Sequence, residues 1–137
     1  MYPIEIVAPM KSEMTEHGFT ELLTAEAVEN SMKESGTSLL FINSVCGCSA
    51  GTARPGVLLA VHHAKKKPDH LLTAFAGYDL DAVKVARQHL LPYPPSSPAI
   101  ALLKDGKVVH MIERHMIEGR PAQMIASNLL QAFETYC

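Results

Sequence analysis

Residues 38–48 of the chain read SLLFINSVCGC, a short apolar run that leads directly into two cysteines separated by one glycine. The run Ser38–Asn43 has aromatic and β-branched character, and this pattern predicts a buried strand. From Ser49 onward the apolar residues recur at helical spacing instead. The sequence therefore predicts a strand, a turn that carries both cysteines, and a helix, in immediate succession.

The residues before this unit predict two helices. Pro9 is expected at the first position of a short helix that Gly18 ends. Thr24 is expected to cap a second helix, which runs to about Ser35 and is terminated by Gly36. Neither segment contains a strand pattern, so both helices are expected to precede the sheet.

The residues after the cysteines alternate between helix and strand patterns. The helix from Ser49 carries Pro55 and Gly56, and the missing N–H of a proline predicts a kink there. The dipeptide Asp105-Gly106 is a strong signal for a two-residue hairpin turn. The further predicted elements are a strand at His70–Ala76, a helix capped by Asp79, a loop at Pro92–Pro98, hairpin strands at Ala99–Leu103 and Lys107–Ile112, and a last helix opened by Pro121.

This order predicts an α/β fold with a central mixed sheet flanked by helices, because a parallel βαβ unit is followed by a hairpin and a closing helix. The layout is similar to a thioredoxin-like fold with an extra N-terminal helix. No repeat, low-complexity tract or long linker divides the chain of 137 residues. We therefore expect a single domain over residues 1–137.

Composition narrows the function classes. The formal net charge is −2 and charged residues make up 19% of the chain, which argues against nucleic-acid binding through phosphate neutralisation. No apolar run is long enough to cross a bilayer and no signal peptide is visible, so we expect a cytosolic protein with no membrane partner. Three cysteines in a reducing compartment predict catalysis, redox sensing or metal binding rather than a disulfide framework.

The position of Cys46 favours redox chemistry. Free backbone N–H groups and the dipole at a helix start stabilise a thiolate, which is the nucleophile in disulfide exchange. Cys46 is therefore predicted to be more acidic than Cys48. Gly47 leaves the turn accessible and tolerates the non-helical geometry of a Cys46–Cys48 disulfide, which we expect to be strained and easily reduced. Arg54 lies about two turns into the helix. It either adds positive potential at Cys46 or is simply exposed to solvent, and we favour the second interpretation.

Metal binding is the alternative from another class, since thiolates bind zinc, copper(I) and iron–sulfur clusters. A structural zinc site needs four ligands. One Cys-x-Cys pair with His62, His63 and a distant Cys137 matches no such pattern, so neither a metal nor another cofactor is expected. Two interpretations of Cys137 stay open: it resolves a mixed disulfide or links two chains, or it is a spectator thiol at a mobile terminus.

The chain resembles the bacilliredoxin family over essentially its whole length. The resemblance is carried by residues 43–48 (NSVCGC), 53–55 (ARP), 94–98 (PPSSP), His115 with 117–119 (IEG), and the final Tyr136-Cys137. It implies a thiol–disulfide oxidoreductase that reduces mixed disulfides between proteins and bacillithiol, a low-molecular-weight thiol co-substrate. Cys46 then attacks and takes up the bacillithiol. Disulfide isomerisation is the alternative that related proteins imply.

The resemblance to thioredoxin-like proteins also implies roles for the loop residues Ser97 and Pro98. Pro98 takes the place of a cis proline opposite the redox turn, and Ser97 offers backbone groups to a bound thiol substrate. The implied partners are bacillithiolated client proteins. The chain departs from thioredoxin in having Cys-x-Cys instead of Cys-x-x-Cys, and in having Leu40 where thioredoxin has a buried aspartate. Proton transfer must then come from another group or from water.

Overall fold

Five strands, five α-helices and two short helical turns make up the structure, a computed structural model that describes residues 1–137. In chain order the elements are α1 (Ile4–Thr15), β1 (Thr20–Glu21), α2 (Ala25–Met32), β2 (Thr37–Asn43), a π-helical turn (Ser49–Ala53), α3 (Arg54–His63), β3 (His70–Phe75), α4 (Leu80–His89), β4 (Ala99–Lys104), β5 (Lys107–Ile112), a 3₁₀ turn (Arg114–Met116) and α5 (Ala122–Tyr136).

The strands form one mixed sheet in the order β1-β3-β2-β4-β5. Strand β2 pairs in parallel with β3 and antiparallel with β4, and β4 and β5 form the predicted hairpin. Every residue of β2 is buried. Leu39 and Phe41 point into a core with α3 and α5, while Leu40 and Ile42 point into a second core with α2 and α4. The predicted mixed sheet with helices on both faces is confirmed.

The first helix begins earlier than the sequence predicted. It starts at Ile4, so Pro9 lies inside it rather than at its first position. Val7 and Met14, seven residues apart, lie on one face of the helix and are fully buried. We attribute the longer helix to this burial, which outweighs the single backbone hydrogen bond that Pro9 removes.

Three further differences are local. The second helix ends at Met32 instead of near Ser35, although Thr24 caps it as predicted, through a hydrogen bond of 3.0 Å from the Ala27 N–H. Strand β1 was not predicted, because two residues are too few to show a period. Asp79 precedes α4, but its carboxylate accepts from Lys11 and from the Phe75 N–H instead of capping the helix.

The register of the sheet brings three chain segments together at one end. Ala99 pairs with Ile42, so the loop that ends at Pro98 lies beside the residues that follow β2. Ile100 pairs with Ile112, so the segment after β5 reaches the same end. A common region, which we call the cysteine end of the sheet, is therefore surrounded by three segments. They are the cysteine turn (residues 44–48), the proline-rich loop (residues 92–98) and residues 113–118.

Candidate active site

Side chains hold the turn that follows β2, where the hydrogen bonds of the sheet stop. The Ser44 N–H donates to Asn43 Oδ1 at 2.8 Å, and the Cys46 N–H donates to Ser44 Oγ at 3.1 Å. The Cys46 carbonyl then accepts from the Ser49 N–H at 2.9 Å, which begins the π-helical turn. These bonds place Cys46 between the end of a buried strand and the start of a helical segment.

Both cysteines of the turn are free thiols and half-buried. The Cys48 N–H donates to Cys46 Sγ at 3.4 Å. This donor, and above all the Cys48 thiol, stabilises negative charge on Cys46 and lowers the pKa of that thiol below its ordinary value. Arg114 and the Ser49 N–H lower it further, while burial opposes them.

The second thiol behaves in the opposite way. Burial, donation to Cys46 and the charge on Cys46 raise the pKa of Cys48 to about 11. The predicted order of acidity, with Cys46 below Cys48, is therefore found in the structure. Its main cause differs from the one expected, because the neighbouring thiol contributes more than the helix start. Cys46 is therefore the more acidic thiol of the pair and forms a thiolate more readily than Cys48.

Arg54 is buried, and the favoured interpretation of it as an exposed residue is wrong. Its side chain is only 4% exposed and lies beneath the cysteine turn. Its Nη1 donates to Asn43 Oδ1 at 3.0 Å and to the Ser44 carbonyl at 2.9 Å, and Glu13 forms an ion pair with the guanidinium. Arg54 thus joins the strand end to helix α1 and holds the turn in place.

The π-helical turn explains why sequence spacing misplaced Arg54. A single π turn adds one residue to the helical cycle, which rotates the following side chains by about 100° relative to a continuous α-helix. Pro55, which has no N–H to give to a carbonyl of the preceding turn, follows this segment and lies in the first turn of α3. The kink at Pro55 stays a prediction. The structure has a widened turn just before this proline, and the rotation that this turn introduces is consistent with the inward position of Arg54.

Pro98 is buried and its peptide bond with Ser97 is cis, as the resemblance implied. The Leu91–Pro92 bond is also cis, which the sequence did not indicate. Because Ala99 pairs with Ile42, Ser97 and Pro98 lie alongside the turn that begins at Ser44.

An open cleft of about 500 Å³ adjoins the cysteine turn. Its walls come from α4, the proline-rich loop and the segment after β5: Arg87, Pro94, Pro95, Ser96, Ser97, Glu113, Arg114, His115 and Glu118. Arg114 and Glu118 both act electrostatically on the thiols of the turn. Sequence reasoning did not select Arg87 or Arg114. Arg114 is adjacent to His115 of the resemblance, but Arg87 follows no motif and is found only through the fold.

Cys137 lies at the opposite end of the sheet. Its thiol contacts Thr37, the first residue of β2, and burial of the thiol raises its pKa. Strand β2 spans roughly 20 Å, so the structure does not bring Cys137 to the cysteine pair within one chain. His62 and His63 are exposed on α3. No group of three or more His, Cys, Asp or Glu residues is arranged to hold a metal ion, and none of the helices has the length and apolarity needed to span a membrane.

Comparison with known proteins gives consistent matches over the whole chain. A family model described as "Disulphide isomerase" matches residues 2–137. A bacilliredoxin from Cytophaga hutchinsonii is 60% identical over 98% of this chain and 98% of its own. A bacilliredoxin from Geobacillus kaustophilus is 49% identical over 99% of this chain and 94% of its own.

The solved structures that resemble this one share its fold. An oxidoreductase with a thioredoxin fold superimposes with a TM-score of 0.67 at 15% identity, covering 85% of this chain and 95% of the other. Mitochondrial thioredoxin 3 from Saccharomyces cerevisiae gives a TM-score of 0.59 at 14% identity, covering 90% and 99%. At such identities the likeness concerns the fold alone, and it confirms the predicted thioredoxin-like architecture.

Proposed function

The chain belongs to the bacilliredoxin family and is a thiol–disulfide oxidoreductase, and from that premise we propose that it removes bacillithiol from client proteins through Cys46. The observation that carries the proposal is the pair of donors on Cys46 Sγ, the thiol and the N–H of Cys48, which stabilise the thiolate needed for attack. The reaction requires a reducing compartment, so the proposal places the protein in the cytosol with its three thiols free.

The first step exchanges one disulfide for another. The Cys46 thiolate attacks the bacillithiol sulfur of the mixed disulfide, the bond to the client sulfur breaks, and the client leaves as a thiolate that takes a proton from water. The new bond joins Cys46 to bacillithiol, so no net oxidation or reduction has occurred. The unprotonated leaving group needs no acid from the protein, which is consistent with the buried, apolar Leu40 at the position where thioredoxin has an aspartate.

The second step returns Cys46 to its reduced form. An attacking thiolate must break the Cys46–bacillithiol bond and release bacillithiol. Cys48 is poorly suited to this role while burial holds its pKa high. We propose that the thiolate of a second low-molecular-weight thiol attacks the bacillithiol sulfur, so that Cys46 leaves as a thiolate and the two small thiols depart joined as a disulfide. Cys48 then serves mainly as the donor to Cys46.

Mass analysis of cysteine variants tests the assignment. Each of Cys46→Ser, Cys48→Ser and Cys137→Ser is mixed with a bacillithiolated protein, and intact mass and client release are followed together. Cys46→Ser should lose both adduct capture and client release. Cys48→Ser should release the client and retain bacillithiol on Cys46, and Cys137→Ser should behave as the parent. Capture of the adduct by Cys46→Ser would contradict the proposal.

Disulfide isomerisation is the second candidate, because the matching family model carries that description. The same Cys46 thiolate would attack a protein disulfide and be displaced by another cysteine of that protein. Recovery of activity by a scrambled disulfide-bonded enzyme separates the two functions. An isomerase restores that activity without any small thiol, whereas the proposed reductase frees a bacillithiolated client faster than it rearranges protein disulfides.

A further inference from the structure

Arg87 is a cation without a partner at the wall of the cleft beside the cysteine turn. None of the seven ion pairs in the structure includes it. Its Nε is buried and makes no hydrogen bond. Burial lowers the pKa of its guanidinium, although the group remains charged. A buried donor left unpaired costs free energy, so such groups in native proteins are normally satisfied by a partner.

The carboxylates of the cleft are occupied elsewhere. Glu118 forms an ion pair with Arg114, and the Glu113 side chain accepts from the backbone N–H of Met116. Arg87 lies on α4 and, like Pro95, also lines a second cleft of about 380 Å³. Arg87 is therefore the one guanidinium of the cleft that no carboxylate pairs with.

The cleft is placed to receive a group attached to the sulfur that Cys46 attacks. Ser97 lines it and lies alongside the cysteine turn, next to the cis Pro98 bond. Arg114, which also lines it, is close enough to stabilise negative charge on Cys46. A ligand whose sulfur reaches Cys46 can extend past Ser97 towards Arg87. The cleft volume of about 500 Å³ is within the range that accommodates small molecules.

We propose that Arg87 binds a carboxylate of the small-thiol half of the mixed disulfide, and that the cleft is the subsite for a carboxylate-bearing low-molecular-weight thiol. The inference rests on the proposed function, since it assigns the small thiol, rather than the client, to this side of Cys46. The planar guanidinium donates in a fork that matches a carboxylate, and burial strengthens the interaction. Arg87 is a substrate-binding residue and takes no part in the exchange itself.

Two mixed disulfides of one single-cysteine protein test the subsite. One carries mercaptosuccinate, which has two carboxylates, and the other carries 2-mercaptoethanol, which has none. Client release is measured for the parent, for Arg87→Gln and for Lys107→Gln, a control that removes an equal charge at the distant hairpin. Comparing each variant with the parent on the same substrate cancels the different intrinsic reactivities of the two mixed disulfides.

We expect Arg87→Gln to slow release of the mercaptosuccinate conjugate about tenfold, mainly through a higher KM, and to leave the 2-mercaptoethanol conjugate within about twofold of the parent. Lys107→Gln should change neither. An equal loss on both substrates would show that Arg87 supports the fold or contacts the client, and no loss on either would show that the cleft does not bind carboxylates. Either result overturns the inference.

A non-exchanging analogue separates this inference from the proposed function. 2-(Methylthio)succinate cannot form a disulfide, and its binding is measured by calorimetry. The parent and Lys107→Gln should bind it, and Arg87→Gln should bind it about tenfold more weakly. Absence of binding to the parent overturns the subsite even if release proceeds. Binding that depends on Arg87 upholds the subsite even if bacillithiol is not the natural substrate.

Discussion

The two ends of the central sheet carry the same functional group and treat it in opposite ways. Cys46 at one end has a lowered pKa, and Cys137 at the other has a raised one. Cys137 is exposed as a residue, yet its thiol is desolvated where it contacts Thr37, and Asp69 nearby opposes a thiolate. At Cys46 burial also acts against the charge, but two donors from Cys48 outweigh it. The acidity of each thiol thus depends on the hydrogen-bond donors and charges near its sulfur, and the exposure of the residue does not decide it.

The largest expected effect is the difference in thiolate population along the chain. At neutral pH the thiolate fraction of Cys46 should exceed that of Cys48 more than about hundredfold, because the pKa of Cys48 is about 11 and that of Cys46 lies below the ordinary value. The lower nucleophilicity of an acidic thiolate offsets part of this, so alkylation by iodoacetamide should differ about tenfold or more. Peptide mass mapping over a pH series measures all three cysteines at once. Cys46 should reach a plateau while Cys48 still rises, and equal rates for Cys46 and Cys137 would remove the contrast between the two ends.

The next effect concerns the residue that holds the cysteine end together. Arg54→Met removes the donor to Asn43 Oδ1 and to the Ser44 carbonyl, and hydrogen bonds from charged groups contribute about 1.5–3 kcal/mol. We expect the free energy of unfolding to fall by about this amount in urea denaturation. Arg120→Met, at an exposed arginine, is the matched control and should change stability by less than about 0.5 kcal/mol. Similar losses for both variants would show that Arg54 does not anchor the turn.

Arg54 also marks the limit of what the sequence could predict. Strand β2, the hairpin and the helix opened by Pro121 follow from periodicity and turn chemistry, which are local. The burial of Arg54 depends on Glu13 and Asn43, which lie far from it along the chain, and on one π turn that rotates its side chain inward. The acidity of Cys46 was predicted in direction because a helix start is visible in the sequence. The unpaired Arg87 was not, because only the fold places it beside the cysteine turn.

A pair of substitutions at Cys48 sharpens the comparison by removing one donor from Cys46. Cys48→Ala deletes the thiol but keeps the backbone N–H, so the pKa of Cys46 should rise towards the ordinary value and its thiolate fraction at neutral pH should fall. Cys48→Ser keeps a hydroxyl donor in nearly the same place and should stay close to the parent. Thiolate absorbance in the ultraviolet, followed against pH, measures both. If Cys46 has the same pKa in Cys48→Ala and in Cys48→Ser, the side-chain donor is not what distinguishes Cys46 from Cys137.

The smallest expected effect comes from the surface charges at the two ends. Arg114 lowers the pKa of Cys46, and Lys104 lowers that of Cys137. Both act through solvent, and Arg114 is partly neutralised by Glu118. Removing either charge should therefore raise the pKa of the nearby thiol by less than Cys48→Ala raises that of Cys46.

The ends are separated by roughly 20 Å, about twice the Debye length of about 10 Å at 0.1 M salt. Arg114→Gln should therefore raise the pKa of Cys46 and leave that of Cys137 unchanged, and Lys104→Gln should do the reverse. Both shifts should largely disappear at about 1 M salt, where the Debye length is about 3 Å. A shift of Cys46 in Lys104→Gln, or a shift in Arg114→Gln that survives high salt, would mean that the substitution moves the turn itself and that the two ends are coupled through the sheet.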